Sequence, residues 1–397
     1  MSEWSELTIG DALRIKHGFA FPGAGFGVDP STPQVLTPGN FALSGGFQPA
    51  KPKSYSGDYP PEFLLSAGEV VVTMTDLSKA GDTLGFAAQL PYGEEFLHNQ
   101  RIGLVEVLNE TKIDARFFQY LTRTSGYRSH ILGTASGSTV KHTSPGRICD
   151  YRALVPPVAE QQAIAEVLGA LDDKIAVNTA LAAAARELGV AMLQVEAPMT
   201  ALGNVVLHHK RQVNPASVED EAVEHYSLPA FDGGGGPEIV MPDSIKSNKF
   251  TVSTPAVLVS KLNPQTPRVW PINVGAARPR LASTEFLVLE PFVTDAWVMW
   301  ALLSQPSFAA ALQAKVAGTS GSHQRVRPEE VLATSILDPR SIRPQLLADV
   351  GEVLAPIDVL HAENRTLAAT RDALLPQLMS GKLRVRDAEA IASDAGV

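Results

Sequence analysis

Two stretches of this chain repeat one another. Gly133-Thr134-Ala135-Ser136-Gly137-Ser138 and, far downstream, Gly318-Thr319-Ser320-Gly321-Ser322 each close a mixed α/β region. Each is followed by a long pattern of apolar residues at steps of three and four. The register holds onward, since Ser136 to Ser320 and Asn178 to Asn364 span nearly the same separation. A duplicated globule-then-helix unit restricts the fold to two similar heads and two similar rods. That layout suits the reading of two separated sites on one ligand.

At 397 residues, with 45% hydrophobic and 19% charged, the chain has room for two or three domains with real cores. Cys149 is its one cysteine, which excludes a disulfide framework and a cysteine-rich zinc site. No stretch reaches the ~18 uncharged apolar residues of a membrane span, so a soluble cytoplasmic protein with no membrane partner is the expectation. The net charge of −9 argues weakly against nucleic acid. Its distribution softens that argument: residues 156–199 hold six acids against two bases, while both heads are near neutral. A near-neutral head can still present a basic face.

The first rod follows Val155-Pro156-Pro157, where the prolines end a strand and lead into a helix. Its seam runs Ile164, Leu168, Leu171, Ile175, Asn178, Ala182, Ala185, Gly189, Met192, alternating steps of four and three as in a coiled coil. About 30 helical residues span roughly 45 Å. The second rod runs Leu346, Val350, Val353, Ile357, Leu360, Asn364, Leu367, Arg371, Leu374, Leu378. Pro356 should kink it or delay its start, and Pro376 should end its regular part. Asn178 and Asn364 hold matching seam positions, where a polar residue fixes register and partner; the alternative is that each faces solvent. The rods are expected to pack on each other, with outer faces left for a partner.

Each head mixes short β-rich runs with one or two helices. Glu69 to Met74 reads as a buried strand running into the polar loop Asp76 to Asp82, and Ala256 to Pro264 repeats the idea. Helices are expected over Ala115–Thr124 and Thr294–Leu303. After them come two loops suited to a ligand, Ser138 to Ser144 and Ser322 to Arg327. Their hydroxyl, amide, imidazole and cationic groups can hold phosphates and read base edges. Either loop alone is equally an ordinary solvated loop; two at equivalent places favour a ligand.

Catalytic motifs are wanting. Phe21-Pro22-Gly23-Ala24-Gly25-Phe26-Gly27 mimics the glycine motif that holds S-adenosylmethionine, but no strong strand precedes it and Val28-Asp29-Pro30 follows in place of a helix. No Asn-Pro-Pro-aromatic or Asp-Pro-Pro-aromatic tetrapeptide accompanies it. Phe231 to Pro237 lacks the Gly-Lys-Ser/Thr of a phosphate loop. Asp172-Asp173-Lys174 reads as a solvated helix face, and His208-His209-Lys210-Arg211 as phosphate contact or surface. No nucleophile, base and oxyanion site assemble, so no metal or catalytic site is assigned.

Val155-Pro156-Pro157-Val158-Ala159-Glu160-Gln161-Gln162-Ala163-Ile164-Ala165, Leu171 to Ile175, and Leu374-Leu375-Pro376-Gln377-Leu378-Met379-Ser380-Gly381-Lys382-Leu383 together resemble the DNA-specificity subunit of type I restriction–modification systems. The second rod departs in starting with Asp338 to Gln345, without the proline-glutamate-glutamine element. The resemblance implies an α+β fold: two similar α/β target-recognition domains, separated by two long antiparallel coiled-coil helices in an internal pseudo-twofold repeat. It places the first recognition domain at 1–155, a central helix at 156–199, the second recognition domain at 200–340, a C-terminal helix at 341–385 and a tail at 386–397.

It further implies a non-catalytic subunit for phage defence, each head reading half of a bipartite asymmetric target in double-stranded DNA. The helices would set the spacer and dock two modification methyltransferase subunits. S-adenosylmethionine would be bound in those subunits, and ATP and Mg in a restriction/translocase subunit where one exists; this chain would hold no cofactor. Carried over residue by residue, DNA contact falls to Lys79, Ser138, Thr139, Lys141 and His142 in the first head. In the second head it falls to Lys261, Asn263, His323, Gln324 and Arg325. Arg101, Arg268 and Arg278 are candidates for phosphates. Glu160, Gln161 and Gln162 are candidates for subunit docking, and Asn178 and Asn364 for register. Rival readings are a scaffold subunit of another defence assembly, a self-contained methyltransferase or nuclease, and a carbohydrate- or protein-binding module without salt-dependent DNA affinity.

Overall fold

The computed structural model describes residues 4–29, 31–234, 236–273, 278–315 and 324–397. It divides into two compact units, residues 1–175 with 365–397, and residues 176–364. Each unit is one head plus the adjoining stretch of each long helix, so the helices belong to both units.

The first head is built on a four-stranded antiparallel sheet in the order Leu13–His17, Ile102–Val107, Val70–Thr73, Ala87–Gln89. Val70–Thr73 is buried along its whole length, as an uninterrupted β-branched run requires when both faces are covered. One face packs on Phe117, Phe118, Tyr127 and Ile131 of the helices Ala115–Leu121 and Ser125–Thr134. The other packs on Leu36, Phe41 and Phe96, which belong with a five-stranded sheet of very short strands. That sheet contains the parallel pair Gln34–Val35 and Phe96–Leu97.

The second head repeats the plan. Its four-stranded sheet runs Val206–His209, Phe286–Pro291, Ala256–Ser260, Val269–Ile272. A five-stranded sheet around the parallel pair Val223–Tyr226 and Arg280–Ala282 accompanies it. The local chemistry repeats too. Asp114 Oδ1 accepts from the Phe117 amide at 2.8 Å, and Asp295 Oδ1 from the Val298 amide at 2.8 Å. These aspartates are N-caps, which is why the second helix begins at Ala296 and not at Thr294. A two-stranded ribbon closes each head, Ser5–Thr8 with Arg152–Val155, and Met199–Ala201 with Ser335–Leu337.

The first long helix, Val158–Met192, is continuous. Of its seam, Ile164, Leu168 and Leu171 join the core of the first unit, and Ala182 joins that of the second. Within the second unit Asn178 Nδ2 donates to Asn364 Oδ1 at 3.0 Å and to Glu363 Oε2 at 2.8 Å. Arg186 lies 3.3 Å from His361, and a Cβ added to Gly189 would strike Leu354. As one helix advances the other recedes, so the pair is antiparallel there. The second rod is two helices, Pro344–Leu354 and Pro356–Leu378, parted at Ala355 because Pro356 starts a new first turn. Pro376 does not end it; the helix runs two residues further.

Two expectations are corrected. Residues 386–397 are mostly the helix Val385–Asp394, whose Ala388 and Ala392 are buried in the first unit's core, and so are not a loose tail. Asp172 is not on a solvated face. Its Oδ2 accepts from Arg123 at 2.9 Å and from the Tyr120 hydroxyl at 3.0 Å, and its Oδ1 from Arg371 at 2.7 Å. Burial pushes its pKa up, but Arg123 and Arg371 outweigh burial and hold the carboxyl below its ordinary value. Val158–Met192 is also long and apolar enough to cross a membrane by length and composition alone.

Candidate nucleic-acid interface

In the first head the strand Lys141–His142 pairs antiparallel with Thr75–Asp76, directly after the buried strand. Ser136 and His142 exchange backbone hydrogen bonds across the intervening turn, leaving Ser138, Thr139 and His142 exposed and Lys141 half-buried. Gly137 makes the turn possible: its φ is +92°, and a Cβ would lie 2.0 Å from the Val140 carbonyl oxygen. The His142 ring sits 3.2 Å from the Thr75 hydroxyl.

The loop carrying Lys79 is held rigidly at both ends. Asp76 accepts from the amides of Ser78 and Thr83 and from the Thr83 hydroxyl. Arg128, stacked 4.2 Å over Phe86, donates to the carbonyls of Gly81, Asp82 and Leu84. Lys79 is exposed on this frame. Sequence reading missed Arg128, because nothing local marks a helix arginine as a clamp for a loop far upstream.

The second head brings Lys261, Asn263, Gln324 and Arg325 together. The Asn263 amide donates to the Gln324 carbonyl at 2.9 Å, and the Val326 amide to the Lys261 carbonyl at 3.0 Å. Asn263 takes φ +53°, a left-handed conformation that asparagine tolerates better than most residues. His323 and the Gly318–Ser322 repeat lie outside the described residues.

Backbone hydrogen bonds fix which residues correspond between heads. Met74 N donates to Arg101 O, and Thr143 N to Met74 O; Lys261 N donates to Glu285 O, and Val326 N to Lys261 O. The Thr73 hydroxyl donates to Thr75 O at 3.0 Å, and the Ser260 hydroxyl to Leu262 O at 3.0 Å. Lys261 therefore corresponds to Met74 and not to Lys79. Lys79 sits further out because the loop from Thr73 to Phe86 is longer than its counterpart from Ser260 to Arg268. His142 corresponds to Arg325, and Arg101 to Glu285.

That last pair inverts charge between the heads. Glu285 holds Arg325 by two hydrogen bonds, 2.9 and 3.2 Å. The guanidinium in turn holds the Glu285 carboxyl below its usual range. Arg101 is exposed, with no ion pair among the described residues.

Two further candidates are engaged within the protein. Arg268 is engaged by Asp232 at 2.7 and 2.9 Å and largely buried, which leaves little of it for a phosphate. Gln161 is fully buried: its Oε1 accepts from the Asp114 amide, and its Nε2 donates to the carbonyls of Lys112 and Pro156. It is a strut between helix and head and has no surface for a docking subunit. Arg278 and Gln162 are exposed, and Glu160 is half-buried at the helix start. Among the described residues no group of three His, Cys, Asp or Glu could hold a metal ion.

Residues 1–185 match the family model of the type I restriction modification DNA specificity domain. It is 31% identical over 173 residues to the type I restriction enzyme EcoBI specificity subunit of Escherichia coli, a match covering 42% of this chain and 32% of that protein. The chain thus matches about a third of the length of this curated relative. In fold it is similar to the type I restriction–modification S subunit from M. genitalium (TM-score 0.54, 13% identity, 95% of each chain covered). It is also similar to the HsdS subunit from Thermoanaerobacter tengcongensis (TM-score 0.29, 15% identity, 99% and 96% covered). The first of these carries the likeness of fold.

Proposed function

We propose that this chain is the non-catalytic DNA-sequence-specificity subunit of a type I restriction–modification complex. Each head reads one half of a bipartite, asymmetric target. The observation that carries the reading is the repeated site: loop pairs at equivalent backbone positions with different side chains, His142 against Arg325 and Arg101 against Glu285. Equivalent scaffolds with unlike chemistry suit two unlike half-sites. The long helices set the spacer and dock two modification methyltransferase subunits. Exposed Val177, Leu181 and Leu188, about one and two turns apart on Val158–Met192, favour such docking. S-adenosylmethionine is then held by those partners, and ATP and Mg by a restriction subunit if one joins.

The test is methylation profiling of host DNA with the gene intact, deleted, or carrying Arg325→Ala. A split adenine-methylated motif should vanish on deletion, and the variant should relax or lose the second half of it alone. Equal damage to both halves would argue against separately reading heads.

A further inference from the structure

The glycine-rich segment Phe21–Gly27, which matches no cofactor site, forms a wall of a basic cleft in the first head. Its aromatic side chains are locked in place: Phe21 and Phe26 lie 4.8 and 5.4 Å from the Tyr55 ring. Lys53 Nζ stands 4.1 Å over Phe26, a cation–π contact that holds the lysine at this wall. The opposite wall is the turn Asn99–Ile102, fixed when the Arg101 amide donates to Asn99 Oδ1 at 3.1 Å and the Ile102 amide to Asn99 O at 2.9 Å. Gly18 is required behind this turn, since a Cβ there would lie 2.1 Å from Asn99 O.

Two adjoining hollows of about 730 and 150 Å³ share Lys53 and Arg101, and Lys51 lines the larger. No carboxylate lines either. Leu77, exposed at the start of the Lys79 loop, also lines the larger hollow, so this surface is continuous with the candidate reading loops.

We propose that this cleft is a DNA-backbone seat, with Lys51, Lys53 and Arg101 holding phosphates beside the first half-site. The inference rests on the proposed DNA-reading function and adds to it a surface outside the loops. Three cations on a concave, acid-free surface fit a polyanion, and the aromatic wall holds one of the lysines in place. In the second head Glu285 stands at the position of Arg101.

The full-length chain, purified with its co-expressed subunits, is titrated with a duplex bearing its methylated motif and with a scrambled duplex, over a range of salt. Lys51→Ala/Lys53→Ala should lower affinity for both duplexes alike and reduce the slope of log K against log salt by about 1 to 2. The control Lys112→Ala, an exposed lysine elsewhere on the unit, should leave the slope unchanged. An unchanged slope in the double variant, an equal drop in the control, or a loss confined to the motif duplex overturns the phosphate seat. A wild-type complex with no salt-dependent DNA affinity would instead overturn the DNA-reading function itself.

Discussion

His98 is fully buried beneath the Asn99–Ile102 turn, its Nε2 donating to the Ile102 carbonyl at 2.9 Å. Burial pushes its pKa down to about 4 from the ordinary 6.5, with Lys16 and His17 adding repulsion and the hydrogen bond opposing it. The unfolded chain therefore takes up a proton between pH 6.5 and 4 that the folded chain refuses. The stability tied to the neutral ring is complete above pH 6.5 and is lost as pH falls toward 4. Urea melts of the first unit's transition should show a loss of about 2 kcal/mol between pH 7 and 5. His98→Phe should flatten that part of the profile, and a wild-type profile as flat as the variant's would refute the assignment.

At the scale of elements, the Asp172 cluster joins helix to head within the first unit. Arg123 and Arg371 are 4% and 6% exposed in their side chains, and Asp172 is the carboxylate that Arg123 faces. Asp172→Ala should cost about 3–5 kcal/mol, because the buried Arg123 guanidinium loses its ion pair, while Arg371 keeps Asp372 at 2.7 Å. Asp173→Ala, on an exposed neighbour, should cost little, and denaturant midpoints of the two variants check the contrast. Much at this scale was legible in the chain: the three-four seam, the buried strands Val70–Thr73 and Ala256–Ser260, and the matching places of Asn178 and Asn364. What escaped depended on distant pairs. Arg371 in an apolar seam makes sense only once Asp172 faces it, and Asp172 looked solvated because its immediate neighbours are charged. Gln161 looked like surface for the same reason. The correspondence of Lys261 with Met74 was hidden by unequal loop lengths, which backbone hydrogen bonds reveal and residue spacing does not.

At the scale of the molecule, the second unit is one unbroken stretch, residues 176–364, whereas the first is assembled from two stretches. Leu367, Leu374, Leu378, Ala388 and Ala392 supply core to the first unit from its far segment. A fragment of residues 176–364 should therefore fold cooperatively by itself. Deleting 365–397 should expose the seam of 158–175 and abolish the first unit's transition while sparing the second's. Circular dichroism melts of both proteins check this, and a deletion that melts like the full chain would contradict it.

The same discontinuity sets a timetable for synthesis. A nascent chain leaves the ribosome from its amino end, and domains fold as their residues become available. The first head emerges early yet waits for residues 365–397, made only after the whole second unit. The head begun first is thus the one finished last, and until then the apolar seam of Ile164, Leu168 and Leu171 is left uncovered. Slow translation beyond residue 364 would lengthen this exposure.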